Sequence, residues 1–345
     1  MEEYTLGLFA NMYPADEKSS FGNFIKRDVD SLEKRGVIVN KAVKTSKLIS
    51  AYPKFFMDSF KLTRSGECDI FQAEYIPHSS FVPALFKGDT PLVIKFLGDD
   101  GRLYPYKNKI NQKIIESMIK RADHVIAVSE ELKSNLIKFG AIPENTSVFA
   151  TGVDTNVFIN LDKNECRLKL NLPLDKVIFI FIGRLCEQKG INELIDTAKQ
   201  RPNMLFIFCG PGIVPPHPEN CIFTGEIPHL KVHEWLCASD CLILPSYSEG
   251  LPNVLMESLS SERPAITTDV GGCREVVEDY KSGLLIPPKD ISALLTSVDW
   301  IYENQSDMKK MGIYGREVMV KKYEHEIIID QIMELHKKLI ENSRQ

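Results

Sequence analysis

Glu249 and Glu257 are separated by seven residues in the string Tyr247-Ser-Glu-Gly-Leu-Pro-Asn-Val-Leu-Met-Glu257. Proline is favoured in the first turn of a helix, so Pro252 marks a helix that starts between the two acids. The first amides of such a helix lack intrahelical partners and the helix dipole adds partial positive charge, which together suit an anion. Glu257 then falls among Val254, Leu255, Met256 and Leu259, where a carboxylate is costly to bury unless donors reach it. Hydroxyls of a sugar or a ribose are such donors. Standing alone, the loop would read as a capping acid followed by a solvated helix acid.

A second loop, Gly183-Arg184-Leu-Cys-Glu-Gln-Lys189-Gly190, carries a guanidinium and an ammonium between glycines. These suit the two charges of a diphosphate, although the GxxxxGK[ST] pattern of a Walker loop is missing. Asn11-Met-Tyr-Pro to Gly22-Asn23-Phe24 is a polar loop in which Gly22 lets backbone approach a ligand at a helix start. Asp269-Val-Gly271-Gly272-Cys-Arg274-Glu275 offers flexible backbone. Cys209-Gly-Pro-Gly212 contains GxG but lacks the third glycine of a dinucleotide fingerprint.

Such loops act together only if a scaffold brings them to one edge. Apolar runs at 5–10, 37–43, 68–74, 92–97 and 124–129 alternate with helical stretches at 23–35, 79–86 and 110–121. A second cycle has strand-like runs at 177–182, 204–209, 241–244 and 264–268, with helices at 191–199, 230–238 and 253–261. This alternation predicts parallel sheets wrapped by helices, whose ligands bind beyond the carboxyl ends of the strands. A chain of 345 residues exceeds the roughly 250–300 that one core supports. The expected division is 1–155 together with a returning C-terminal helix 326–345, and 156–325. Ile327, Ile328, Ile332, Leu335 and Leu339 form the helical stripe expected to dock that tail.

The composition is 43% hydrophobic and 26% charged with a net charge of −5, ordinary for a soluble protein and without the basic footprint of a nucleic-acid binder. The eight cysteines are scattered through apolar or helical stretches and predict reduced core thiols rather than a disulfide framework. Cys237 and Cys241, four apart, are expected as packed thiols, and no metal is expected. The acidic N-terminus lacks a signal peptide's basic and apolar regions, and no apolar run approaches the ~20 residues of a membrane span. A cytoplasmic protein is expected, able to touch the inner face of the membrane.

Taken together these strings resemble the retaining glycosyltransferases of family 4, which have the GT-B fold. The matching residues are Gly183-Arg184 with Lys189-Gly190, Ser248 to Glu257 with its E-x7-E spacing, and Asp269-Val-Gly-Gly with Glu275-Val-Val. Ser282-Gly-Leu-Leu, Gly152-Val-Asp154 and the opening Asn11 to Gly22 support them. The resemblance implies an α/β protein with two Rossmann-like, doubly wound parallel-sheet domains facing across a cleft. It implies transfer of a hexose from a nucleotide-diphosphate sugar, with UDP preferred, to a glycan or lipid-linked acceptor, without a metal or other cofactor.

By the same resemblance Arg184, Lys189 and Glu249 form the catalytic set, the two cations on the diphosphate and the acid on the hexose. Gly183 and Gly22 lie against phosphate, and Glu226 and Ile227 border the base. Amides of Gly250, Leu251, Asn253, Val254 and Leu255 bind sugar hydroxyls and phosphate, and Glu257 accepts from the ribose. Where the family often has His-Gly-x-Asp, this chain has Leu97-Gly98-Asp99-Asp100; Asp99, Asp100 and Asn23 are the expected sugar or acceptor contacts. A sugar-nucleotide 2-epimerase and a non-catalytic nucleotide-sugar-binding protein fit the same architecture, whereas a nicotinamide dehydrogenase would need a complete GxGxxG.

Region 41–64 carries Lys41, Lys44, Lys47, Lys54, Lys61 and Arg64 against Asp58 alone, interleaved with Tyr52, Phe55, Phe56 and Phe60. Cations beside aromatic rings suit an anionic leaflet. The simpler alternative packs Phe56 and Phe60 of a helix on the core with the lysines solvated, and Pro53 argues against one long amphipathic helix.

Overall fold

Runs such as Ile178-Phe-Ile-Phe-Ile182 are apolar on both faces, as strands covered by helices on either side must be. The computed structural model describes residues 4–15 and 21–345, so part of the expected opening loop, 16–20, lies outside the described residues. The chain divides into two compact units, Met1–Thr151 with Glu326–Gln345, and Gly152–His325.

The first unit contains β1 (Thr5–Ala10), β2 (Ile38–Val43), β3 (Ile70–Glu74), β4 (Leu92–Phe96), β5 (His124–Ala127) and β6 (Thr146–Val148). They pair in parallel in the order β2-β1-β3-β4-β5-β6. The second unit contains β7 (Ile178–Ile182), β8 (Leu205–Cys209), β9 (Cys221–Gly225), β10 (Cys241–Leu244), β11 (Ala265–Thr268) and β12 (Gly283–Ile286), in the order β12-β11-β10-β7-β8-β9. Right-handed crossovers then place helices on both faces. Winding reverses between β1 and β3 in one unit and between β7 and β10 in the other, the switch points at which open α/β sheets hold ligands.

Aromatic pairs fill both cores. Phe9 meets Phe71 edge-on at 5.5 Å, and Phe208 stacks on Phe223 at 4.5 Å. All eight cysteines are free, six of them buried. Among the described residues no helix is long and apolar enough to cross a membrane.

The tail helix His325–Ser343 buries Ile328, Ile329, Ile332, Met333, His336 and Ile340 and leaves Ile327 exposed, so its inner face is turned from the expected stripe. The cause is His336, polar by type and buried by context. Tyr4 donates its hydroxyl to His336 Nδ1 at 2.9 Å, and His336 Nε2 meets the Gln72 amide oxygen at 2.8 Å. Burial first, then Lys95, pushes this imidazole down to about 3, so it is neutral and donates to Gln72. Gln72 in turn donates to Glu74 at 2.6 Å, and Lys95 bridges Glu74 and Asp28. Arg35 of the first unit pairs with Glu326 and Asp330 on the tail.

As expected, no single long helix spans 41–64: β2 runs to Val43, and the helix Tyr52–Arg64 begins with Pro53 in its first turn. Phe55, Ser59 and Thr63 are the buried positions of that helix, whereas Phe60 is exposed and Phe56 half-buried. The core-facing stripe is therefore one residue away from the Phe56 and Phe60 pair.

Candidate active site

In the second unit the loops after β7 and β10 lie at the switch point and touch. Gly190 has φ 69°, and a Cβ there would overlap the Pro245 carbonyl oxygen, so only glycine lets the 183–190 loop rest on the β10 loop. Tyr247 N donates to Gln188 O at 2.9 Å, completing the join. Lys189 Nζ consequently reaches Glu249 Oε1 at 2.6 Å, and Ser246 Oγ donates to the same oxygen at 2.6 Å. Glu249 is buried. Tyr247 is itself fixed by Glu193 and by Lys289, whose ammonium lies 4.6 Å from its ring centroid. Arg184 is exposed, and among the described residues its side chain has no hydrogen-bond or ion-pair partner.

Glu257 is buried inside the helix Asn253–Ser260, with Oε1 2.9 Å from His229 Nε2. His229 starts the helix His229–Ala238, just beyond Glu226 and Ile227. The stretch expected to border the base therefore lies beside the expected ribose acid. Sequence reasoning missed His229, because nothing in its neighbourhood marks it as facing another helix. It also missed Ser246, although that hydroxyl stands three residues before Glu249 in the same loop.

Asn253 and Val254 occupy the open first turn of their helix, following Gly250 and Leu251. Leu255 N donates to Pro252 O at 3.1 Å, so the expectation of a ligand-facing amide at Leu255 is corrected: a tightened first turn already satisfies it. Gly272 N donates to Gly250 O at 2.7 Å, which assigns the Asp269-Val-Gly-Gly string to support of this loop. Gly183 directly follows β7, and Glu226 is exposed beyond Gly225.

In the first unit Gly22 caps the helix Asn23–Lys34 with φ 80°, and a Cβ would lie 2.7 Å from Met12 O. Asn23 is half-buried in the first turn, and Asp99 is exposed. Asp100 behaves differently from expectation. Buried, it accepts from the amides of Ile76 at 3.0 Å, Leu97 at 3.0 Å, Gly98 at 2.8 Å and Gly101 at 3.1 Å. Its carboxyl is pushed up to about 7 because burial outweighs those amide bonds. Its oxygens tie the loop after β3 to the loop after β4, and this fills the acceptor capacity that a sugar contact would need.

Two doubly wound parallel units, with cations, paired acids and an open helix start along one carboxyl edge, are the architecture of a GT-B glycosyltransferase. Residues 162–318 match the family of glycosyl transferases group 1, and residues 22–157 match glycosyltransferase family 4. Each match covers less than half of the chain, one in each unit, and both are to glycosyltransferase families. It is 31% identical over 266 residues to TuaC of Bacillus subtilis, assigned as a teichuronic acid biosynthesis glycosyltransferase. That alignment spans 76% of this chain and 64% of TuaC, short of two thirds of the relative. The fold is shared with sucrose-phosphate synthase from Thermosynechococcus elongatus, with TM-score 0.86, 20% identity, and coverage of 99% and 100% of the two chains. It is also shared with HepE of Anabaena solved with UDP-glucose, with TM-score 0.79, 18% identity, and coverage of 97% and 100%.

Proposed function

We propose that the protein is a metal-independent retaining hexosyltransferase that uses a nucleoside diphosphate sugar, a UDP-sugar first, and a glycan or lipid-linked acceptor of surface-polysaccharide synthesis. The observation that carries this reading is the contact of Lys189 with Glu249 beside the open start of the helix Asn253–Ser260. An ammonium has three donors, so Lys189 can hold the hexose-binding acid and a phosphate oxygen together. Arg184, on the same loop, supplies the second cation, and the amides of Gly250 to Val254 complete the anion site. These cations and the helix dipole offset the diphosphate charge where another enzyme would use a divalent ion. UDP-glucose in HepE and the glycan role assigned to TuaC support the choice of donor and acceptor class.

In this reading the acceptor attacks from the face that the diphosphate leaves, and the departing phosphate takes the acceptor proton. Catalysis consists of holding the sugar with Glu249 and stabilising the leaving diphosphate with Arg184, Lys189 and helix amides. Glu257, oriented by His229, accepts from ribose hydroxyls. Thermal-shift measurements with UDP, GDP and ADP and their sugars test the donor. Binding to the native state raises the melting temperature; no shift with any of them would contradict the reading.

A peripheral membrane contact is part of the proposal. The helix Tyr52–Arg64 leaves Met57, Phe60, Lys54, Lys61 and Arg64 exposed, and Phe60 packs edge-on against exposed Phe86 at 5.2 Å. Leu48 and Ile49 precede it, Ile49 at 84% exposure. Exposed apolar groups beside cations suit an anionic leaflet, and a lipid-linked acceptor would be presented there. Lys44 does not belong to this surface, since its side chain is buried.

A further inference from the structure

The first unit has its own switch point between β1 and β3, and a group of side chains collects there that neither the core nor the donor chemistry uses. Lys44 follows β2 directly, and its side chain is 5% exposed. Its ammonium donates to Ser46 O and lies 4.9 Å from the centroid of Tyr52 and 5.5 Å from that of Phe21. Among the described residues no carboxylate pairs with it. Of the other buried cations, Lys95 is neutralised by Asp28 and Glu74 and Arg167 by Asp240, while Arg263 has its guanidinium filled by the Asn160 amide oxygen and the carbonyls of Ser261 and Cys237. Lys44 has one carbonyl and two rings. Burial pulls the Lys44 ammonium below its ordinary value, and Lys44 in turn helps to hold His78 low.

Asn11, just after β1, is 6% exposed, and among the described residues its buried Oδ1 has no hydrogen-bond partner. The Asn11 side chain faces the Tyr52 hydroxyl and offsets part of the upward push that burial gives it, so the orphan oxygen stands near the ring that Lys44 also approaches. His78, beyond β3, lies against Tyr52 at 5.1 Å between ring centroids. Tyr13 N donates to Lys44 O at 3.1 Å, and Tyr13 N is also 2.9 Å from the Cβ position of Gly22, which caps the helix Asn23–Lys34. Among the described residues, a cation without a carboxylate and an acceptor without a donor therefore converge with a helix start at the place where an open α/β sheet takes its ligand.

We propose that this group binds the anionic end of the sugar acceptor, a phosphate or carboxylate that Lys44 neutralises, while Asn11 Oδ1 accepts from a neighbouring sugar hydroxyl. The inference rests on the glycosyltransferase reading and adds an acceptor class to it. A buried cation without a counter-ion is costly in the free protein and is repaired when the ligand supplies the negative charge. Tyr52 and Phe21 shield the pair from water, which strengthens the attraction.

The test uses the full chain and thermal shift with glucose 6-phosphate, glucuronate, glucose, inorganic phosphate and UDP. One or both sugar anions are expected to raise the melting temperature of the wild type well above the effect of glucose or inorganic phosphate. Lys44→Met should weaken that binding about tenfold or more, the scale of one lost charge-assisted contact, while Lys44→Arg retains it. Lys44→Met should itself melt no lower than the wild type, since it removes an unpaired charge and keeps the volume. Equal sugar-anion shifts in wild type and Lys44→Met, or no shift from either anion in a protein that UDP stabilises, would overturn the site. A selective loss of UDP binding in Lys44→Met would assign Lys44 to the donor and also overturn it. Failure of every nucleotide to stabilise the wild type sinks the glycosyltransferase reading instead, whatever Lys44 does.

Discussion

Lys189 and Glu249, sixty positions apart in the chain, meet at 2.6 Å through Nζ and Oε1, with Ser246 donating to the same oxygen. The contact joins the loop after β7 to the loop after β10, so the acid proposed for the hexose and the cation proposed for the diphosphate are placed by one another.

Glu249→Ala and Lys189→Ala should each lower turnover by about 10²-fold or more, the scale of losing a preorganised charge contact. Because the two groups act as a pair, the double variant should lose less than the product of the single losses. Steady-state rates of the three variants check this. Near-wild-type turnover in either single variant would remove that residue from the site.

Asp100 yields a pH prediction with a definite sign. Its carboxyl lies at about 7 in the folded chain against an ordinary 3.8, so folding takes up a proton between those values. Its contribution to stability is full below 3.8 and is lost as pH rises through 7. Asp100→Asn turns an amino group toward N–H donors and should cost about 2–3 kcal/mol at low pH. The gap in urea midpoint between wild type and Asp100→Asn should narrow from pH 5 to pH 8. A gap that widens would reverse the assignment.

His336 has the opposite dependence. Its ring falls to about 3 from 6.5, so its contribution is full above 6.5 and is lost as pH falls toward 3. His336→Leu leaves the Tyr4 hydroxyl and the Gln72 amide oxygen without this partner, and it should loosen the tail helix from the first unit. Hydrogen exchange should quicken across residues 325–343 at pH 7.5, with less difference from the wild type at pH 4.5. Unchanged protection at pH 7.5 would show that the buried network does not hold the tail.

Sedimentation with phosphatidylglycerol vesicles should pellet the protein at low salt and release it as screening rises. Phe60→Ser with Lys61→Gln should reduce pelleting several-fold without altering thermal shift by UDP. A supernatant that keeps the wild-type protein at low salt ends the membrane proposal.

Much of this architecture was legible because most strands are short apolar runs bounded by turn residues, and most predicted limits lie within two residues of those observed. The strands that escaped notice, β6, β9 and β12, are all at sheet edges. β6 has three residues and β9 leaves Ile222 exposed at its free side, so the signal of a central strand is weak there. β12 is the apolar run Gly283–Ile286, as long as β10, and its residues were noted only as a motif. The tail shows the complementary failure: the expected stripe left out His336, and only its contacts to Tyr4 and Gln72 explain why the buried face includes it. At the site, residue type identified Glu249 and Lys189 as candidates, but not that they touch, since pairing across sixty residues depends on which loops share a switch point. Asp100 was visible as an acid in a loop, and its commitment to four backbone amides could be seen only after folding.

The most direct measurement of the central claim is proton NMR of slow donor hydrolysis, with water as acceptor and the α-linked nucleotide sugar that gives the largest thermal shift. In the presence of EDTA, the free hexose should appear first as the α-anomer, before mutarotation mixes the two forms, and Glu249→Ala should slow its release about 10²-fold. Release of the β-anomer first, a 2-epimer of the donor sugar, or activity abolished by EDTA would contradict a metal-independent retaining transferase.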